Sequence, residues 1–191
     1  MVRKHSKGVE TGTGSSNKGI TLVEIIIVLA ILSVLAVSTF SGLRYIRYGN
    51  AKSCAYQINA ALDKIRLDNM SKADKAYLYL YQFNGSYYMR ESTETASAAL
   101  LDGEGVLLGN RQLGLFYQTS AGSGEQEVGD FGSGTFLRLS FEKSTGELSI
   151  HEVAGIPAAP SYCNRILIRD RDGTIRYTIH LIQASGKHYV E

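Results

Sequence analysis

The chain has 191 residues, 44% of them hydrophobic and 20% charged, which suits one folded domain plus an appendage and is too apolar for a disordered chain. Its net charge of +2 is local: residues 1–19 hold four of the twenty Lys and Arg and one of the eighteen Asp and Glu, so the remaining 16 basic and 17 acidic residues balance to −1. That balance leaves no basic stripe for a nucleic-acid backbone, and two cysteines without a Cys-x-x-Cys do not make a metal site.

Residues 1–19 are basic and polar, with Arg3, Lys4, Lys7 and Lys18 against Glu10. Ile20 to Val37 is then largely apolar, with Glu24 its one charge. As a helix this run spans about 27 Å, near the ~30 Å of a bilayer core. Ser38 to Leu43 can extend it, and no polar face marks it as a soluble core helix. Three readings compete. It is an uncleaved anchor; or a secretory signal cut near Ala36-Val37-Ser38, though h-regions run only about 7–15 residues; or a segment cut between Gly19 and Ile20.

Glu24 distinguishes the third reading. A carboxylate deep in a membrane helix costs roughly 2.5–3.5 kcal/mol, less near the interface. A cut before Ile20 creates an α-amino group four residues away, largely cationic at neutral pH. That group can pair with Glu24 of its own chain or of a neighbour. A second role is local: Thr21-x-x-Glu24 fits a helix capping box. The two roles are compatible.

A basic leader ending in Gly19, then Ile20-Thr21-Leu22-Val23-Glu24, then a long apolar helix, resembles the class III signal of type IV prepilins and type II secretion pseudopilins. The resemblance implies that a prepilin peptidase cuts after Gly19 and N-methylates Ile20, and that Glu24 acts in subunit recruitment and assembly. The family's first mature residue is usually Phe or Met, so Ile20 departs from the pattern. Its frequent helix-kinking Pro is also missing, and Ser41-Gly42 falls near that place. Arg44, Arg47 and Lys52 follow the run almost as densely as basic residues precede it, so the positive-inside rule adds little to orientation.

Beyond the run, Ala51, Cys54, Ala55, Ile58, Leu62 and Ile65 recur at spacings of three and four, which predicts an amphipathic continuation of the helix to about Met70, roughly 75 Å in all. Ala76 to Phe83 then alternates Tyr77, Tyr79, Tyr81 and Phe83 against Leu78, Leu80 and Gln82, a strand covered on one side; stacked tyrosines would otherwise offer a platform for bases or sugars. Asn84-Gly85 is a hairpin turn and Ser86 to Glu91 its return. Further strands are expected at Gly114–Thr119, Gly134–Glu142, Gly146–Val153, Arg165–Arg169 and Thr174–Ile182. Turns fall at 143–146 and at Asp172-Gly173, and 186–190 forms an edge strand. Ser92 to Ala99 reads as a linker, and residues 120–134 as an exposed Gly-rich loop. Glu125, Glu127 and Asp130, and separately Asp170 and Asp172, look faintly calcium-like, but neither set has an EF-hand spacing.

The expected class is α+β: a long N-terminal transmembrane and amphipathic helix packed on a C-terminal antiparallel sheet. Its segments are a leader (1–19), a transmembrane helix (20–42), an amphipathic continuation (43–72) and an extracytoplasmic β-rich domain (73–191). Helix first and sheet after is again similar to pilins and pseudopilins. The ending, two strands about a Gly turn and then Ser-Gly-Lys-His-Tyr-Val, is similar to the H-type minor pseudopilins.

No Gly-x-Ser-x-Gly, P-loop or His-Glu-x-x-His occurs, and His151, His180 and His188 sit in strand-like contexts, so neither an enzyme nor a cofactor is expected. Cys54 and Cys163 are a candidate disulfide if both lie outside the cytoplasm, or else two buried small hydrophobes. The leading reading is a structural, minor subunit of a type IV pilus or type II secretion pseudopilus. It sits in the cytoplasmic membrane with its leader inside, then joins a surface or periplasm-spanning filament. Its partners are the prepilin peptidase, other pilin subunits and an inner-membrane assembly platform. The alternatives are an anchored or secreted β-domain that binds a ligand, and a competence pilin whose Arg165, Arg169, Arg171 and Arg176 gather for DNA.

Overall fold

This computed structural model describes residues 21–109, 113–120, 122, 124–149 and 162–191, with the backbone alone over 36–49 and at 109. Among the described residues one α-helix, α1 (Leu22–Ser71), precedes nine strands in two antiparallel sheets, so the α+β expectation holds. The chain divides into two units, Met1–Gly42 and Leu43–Glu191.

In the second unit, α1 buries the stripe that the sequence periodicity marks. Ala51, Cys54, Ala55, Ile58, Ala61, Leu62 and Ile65 all join one core. Removing side chains of this size from water is the main force holding the helix against the sheets. The helix end is fixed by polar contacts. The amide of Asn69 shares its hydrogens among the carbonyls of Ala76 and Phe141 and the hydroxyl of Ser140, at 3.0, 3.2 and 3.0 Å. Asn69 Oδ1 accepts from the Ala76 N–H at 2.6 Å, so the chain leaves the helix already tied to it.

The first sheet has the order β3-β2-β1-β6: β1 (Tyr77–Phe83), β2 (Ser86–Ser92), β3 (Val106–Gly109) and β6 (Leu137–Leu139). β1 and β2 pair in full register from Tyr77–Ser92 to Phe83–Ser86. Asn84 and Gly85 both have positive φ, 49° and 74°, the type I′ geometry that Asn-Gly favours. The expectation that β1 is covered on one side only is corrected. Leu78 and Leu80 face the helix core, while Tyr79 and Tyr81 are buried in a second cluster with Leu100, Leu101 and Phe136. The segment read as a bare linker supplies part of that cover. Tyr79 and Tyr81 donate their hydroxyl hydrogens to the carbonyls of Glu94 and Asp102, both at 2.7 Å.

The second sheet has the order β5-β4-β7-β8-β9: β4 (Leu113–Thr119), β5 (Glu125–Glu127), β7 (Cys163–Asp170), β8 (Ile175–Ile182) and β9 (Lys187–Val190). β5 lies inside the stretch expected to be loop. It pairs with β4, and the following Val128 is fully buried and donates to the Leu115 carbonyl. The strand expected over Gly146–Val153 is a single bridge, Phe141 to Leu148, and residues 150–153 lie outside the described residues. Arg66 of α1 ties the two turns nearby, donating to the carbonyls of Gly146 at 3.2 Å and Ser185 at 2.8 Å. Gly186 is required there: its φ is +61°, and a Cβ would stand 1.9 Å from the Gly146 carbonyl oxygen.

Candidate functional site

The N-terminal unit carries the residues singled out above. Gly19 and Ile20 lie outside the described residues. The helix begins with Thr21 in the capping position. Its carbonyl accepts from the Ile25 N–H at 3.2 Å, and its Oγ1 accepts from the Glu24 N–H, also at 3.2 Å. That is one half of the capping box expected from Thr21-x-x-Glu24. It places Glu24 in the first turn, where a carboxylate also meets the positive end of the helix dipole.

From Leu22 to Leu35 every large apolar side chain is exposed, from 47% at Ile25 to 75% at Leu22. The exposure runs round the whole helix, so no single groove covers it. Glu24 is exposed among these chains. Ser33 hides its hydroxyl by donating to the Ala30 carbonyl at 2.7 Å. Fourteen residues span about 21 Å, less than a bilayer core; among the described residues no helix is long and apolar enough to cross a membrane. The span expected over 20–42 extends past both ends of this stretch.

In the second unit the other candidate groups are spoken for. Glu125 pairs with Arg169, Glu127 accepts from the Tyr87 hydroxyl at 2.6 Å, and Asp130 accepts from the Ser133 N–H at 2.6 Å. Among the described residues no cluster of His, Cys, Asp and Glu could hold a metal ion. Two of the four arginines are engaged by carboxylates. Arg169 is engaged by Glu125 and lies over the Phe116 ring, and Arg176 donates twice to Asp170, at 2.8 and 2.5 Å. Arg165 and Arg171 are exposed. Tyr79 and Tyr81 of β1 are fully buried and the half-buried Tyr77 ring lies under Arg138, so they do not make an open stacking platform.

Cys54 and Cys163 carry free thiols in the same core, not the candidate bridge. Burial pushes both up to about 12, opposed at Cys163 by a backbone hydrogen bond with Arg165. Burial, then the bond to Glu127, raises the Tyr87 phenol well above its ordinary value. His180 faces Glu191 at 2.9 Å and His188 faces Asp63 at 3.1 Å. His151 lies outside the described residues.

Sequence reasoning missed the bond from Tyr87 to Glu127, which joins β2 of one sheet to β5 of the other. No spacing rule marks it, because its partners are forty residues apart and β5 itself is only three residues long.

Residues 14–40 match the family model of the prokaryotic N-terminal methylation motif, the signal of type IV prepilins and pseudopilins. Glu24 and the exposed apolar turns fall inside that match. The motif points to a pilin- or pseudopilin-like processed subunit with a membrane-anchored N-terminus, handled by a prepilin peptidase and assembled with other pilins. No curated protein and no solved structure matches the chain.

Proposed function

We propose that the chain is a structural, minor subunit of a type IV pilus or type II secretion pseudopilus. The peptidase cuts after Gly19 on the cytoplasmic side, Ile20 becomes the methylated N-terminus, and residues 20–42 hold the subunit in the membrane until an assembly platform extracts it. The observation that carries this reading is the exposed apolar helix from Leu22 to Leu35 with one carboxylate in its first turn, inside the motif match. Such a surface needs lipid before assembly and neighbouring helices after it. Small residues at Ala30, Ser33 and Ala36 support close approach of those helices.

Glu24 serves twice. Its backbone N–H completes the Thr21 cap, and its carboxylate pairs with the cationic N-terminus of the same or the next subunit. Glu24→Ala keeps the Thr21 bond, since only the side chain is lost. Cleavage after Gly19 therefore continues, while incorporation into filaments falls at least tenfold, read by comparing processed membrane protein with sheared filament. Unchanged incorporation of the alanine variant contradicts this role for Glu24.

The second unit has the build of an outward-facing head. No catalytic set appears among its described residues, and two of the four arginines that would serve DNA uptake are held by carboxylates. That favours a structural role over the competence-pilin reading.

A further inference from the structure

The sequence contains two Asn-x-Ser triplets, Asn69-Met70-Ser71 and Asn84-Gly85-Ser86. The triplet is the acceptor pattern for N-linked glycans, which need an exposed loop. The fold separates the two. Asn69 is 2% exposed and its amide is committed to three acceptors at the end of α1. Asn84 is exposed at the tip of the β1–β2 hairpin, and Ser86 opens β2 just behind it.

A transferase must draw the asparagine into its active site while reading the hydroxyl two residues on. Asn84 and Ser86 lie together at a solvent-facing hairpin tip, whereas Asn69 is buried at a helix end packed on a sheet. There is also room beside the tip. A depression of about 280 Å³ lies against the turn, lined by Gln82, Gly85, Tyr87, Glu127 and Arg171 among others. Its amide, carboxylate and guanidinium are the hydrogen-bonding groups that sugar hydroxyls use.

We propose that Asn84 is an N-glycosylation acceptor. The co-reactant is a polyprenyl-pyrophosphate-linked oligosaccharide. Asn84 Nδ2 attacks the anomeric carbon, a C–N bond forms, and the C–O bond to pyrophosphate breaks. The lipid pyrophosphate departs and Nδ2 gives up one proton. This inference rests on the reading above that the β-rich domain, residues 73–191, lies outside the cytoplasm, where such donors are presented.

The test is peptide mass analysis of the full-length chain isolated from the membranes of its native host. The peptide holding residue 84 is expected to be heavier by a whole glycan and to release sugar oxonium fragments. Asn84→Gln and Ser86→Ala each abolish the shift, whereas Ser86→Thr keeps it. An unmodified residue 84 in every copy overturns the proposal, as does a glycan on Asn69. The same digest reads the N-terminus. A start at Ile20 with bare Asn84 overturns the glycan and leaves the filament reading standing; a glycan at Asn84 on a chain with an uncut leader does the reverse.

Discussion

Asp170 sits buried at the turn between β7 and β8 with both oxygens occupied. Oδ1 accepts from the N–H groups of Asp172 and Thr174, and Oδ2 from Arg176. Burial alone would raise its carboxyl, but the Arg176 guanidinium and the two N–H groups outweigh that and hold it below the usual carboxylate range. A lowered folded value means that its contribution is present above about pH 4, the ordinary aspartate value, and is lost as the pH falls further. Asp170→Ala strands the guanidinium and two N–H groups. It should cost about 3 kcal/mol at pH 7, near the lower end for a broken buried pair because Arg176 is itself partly solvated. Chemical denaturation of the detergent-extracted chain measures this, and a cost below about 1 kcal/mol would remove the turn from the account. The thiols make a second prediction at this scale. With Cys54 and Cys163 near 12 and buried, iodoacetamide at pH 8 should label neither until the protein unfolds. Rapid labelling of the native chain would show that the core opens.

Among elements, α1 is the one whose structure was most legible beforehand. Spacings of three and four identified its buried stripe because one helical face meets one continuous core, and the stripe from Ala51 to Ile65 is buried as expected. Leu62→Ala should therefore cost about 2–5 kcal/mol, while Leu67→Ala on the exposed side changes stability by about 0.5 kcal/mol or less. Equal losses at the two positions would mean that the helix does not bury one face. Asn84-Gly85 was legible for a different reason: turn chemistry is local, and only a few residue pairs fit a type I′ turn. What stayed hidden is long-range. Alternation in β1 shows two faces but not what covers each, and the cover on the tyrosine face comes from Leu100, Leu101 and Phe136, distant in sequence. β3 and β5 are too short to show a period, and β5, Glu-Gln-Glu, has the composition of a loop. Of the candidate site, Glu24 and its cap were legible because Thr21-x-x-Glu24 is a contiguous signal. The pairing of Glu125 with Arg169 was not, since it spans 44 residues.

At the scale of the whole molecule, the chain joins two segments with opposite solvent requirements. From Ala51 onward the apolar side chains of the described residues are largely gathered into two cores, as a water-exposed domain requires. From Leu22 to Leu35 they are spread round a bare helix, which water does not tolerate. A processed filament subunit reconciles the two, because it is held in lipid first and among like helices later. The central claim is the cut that makes Ile20 the first residue. The most direct measurement is the N-terminal mass of the membrane-extracted protein, made with and without a prepilin peptidase. The account predicts an intact leader without the enzyme and, with it, a chain beginning at Ile20 and bearing one methyl group. A start near Thr39 in either sample, or an intact leader in the presence of active peptidase, would contradict it.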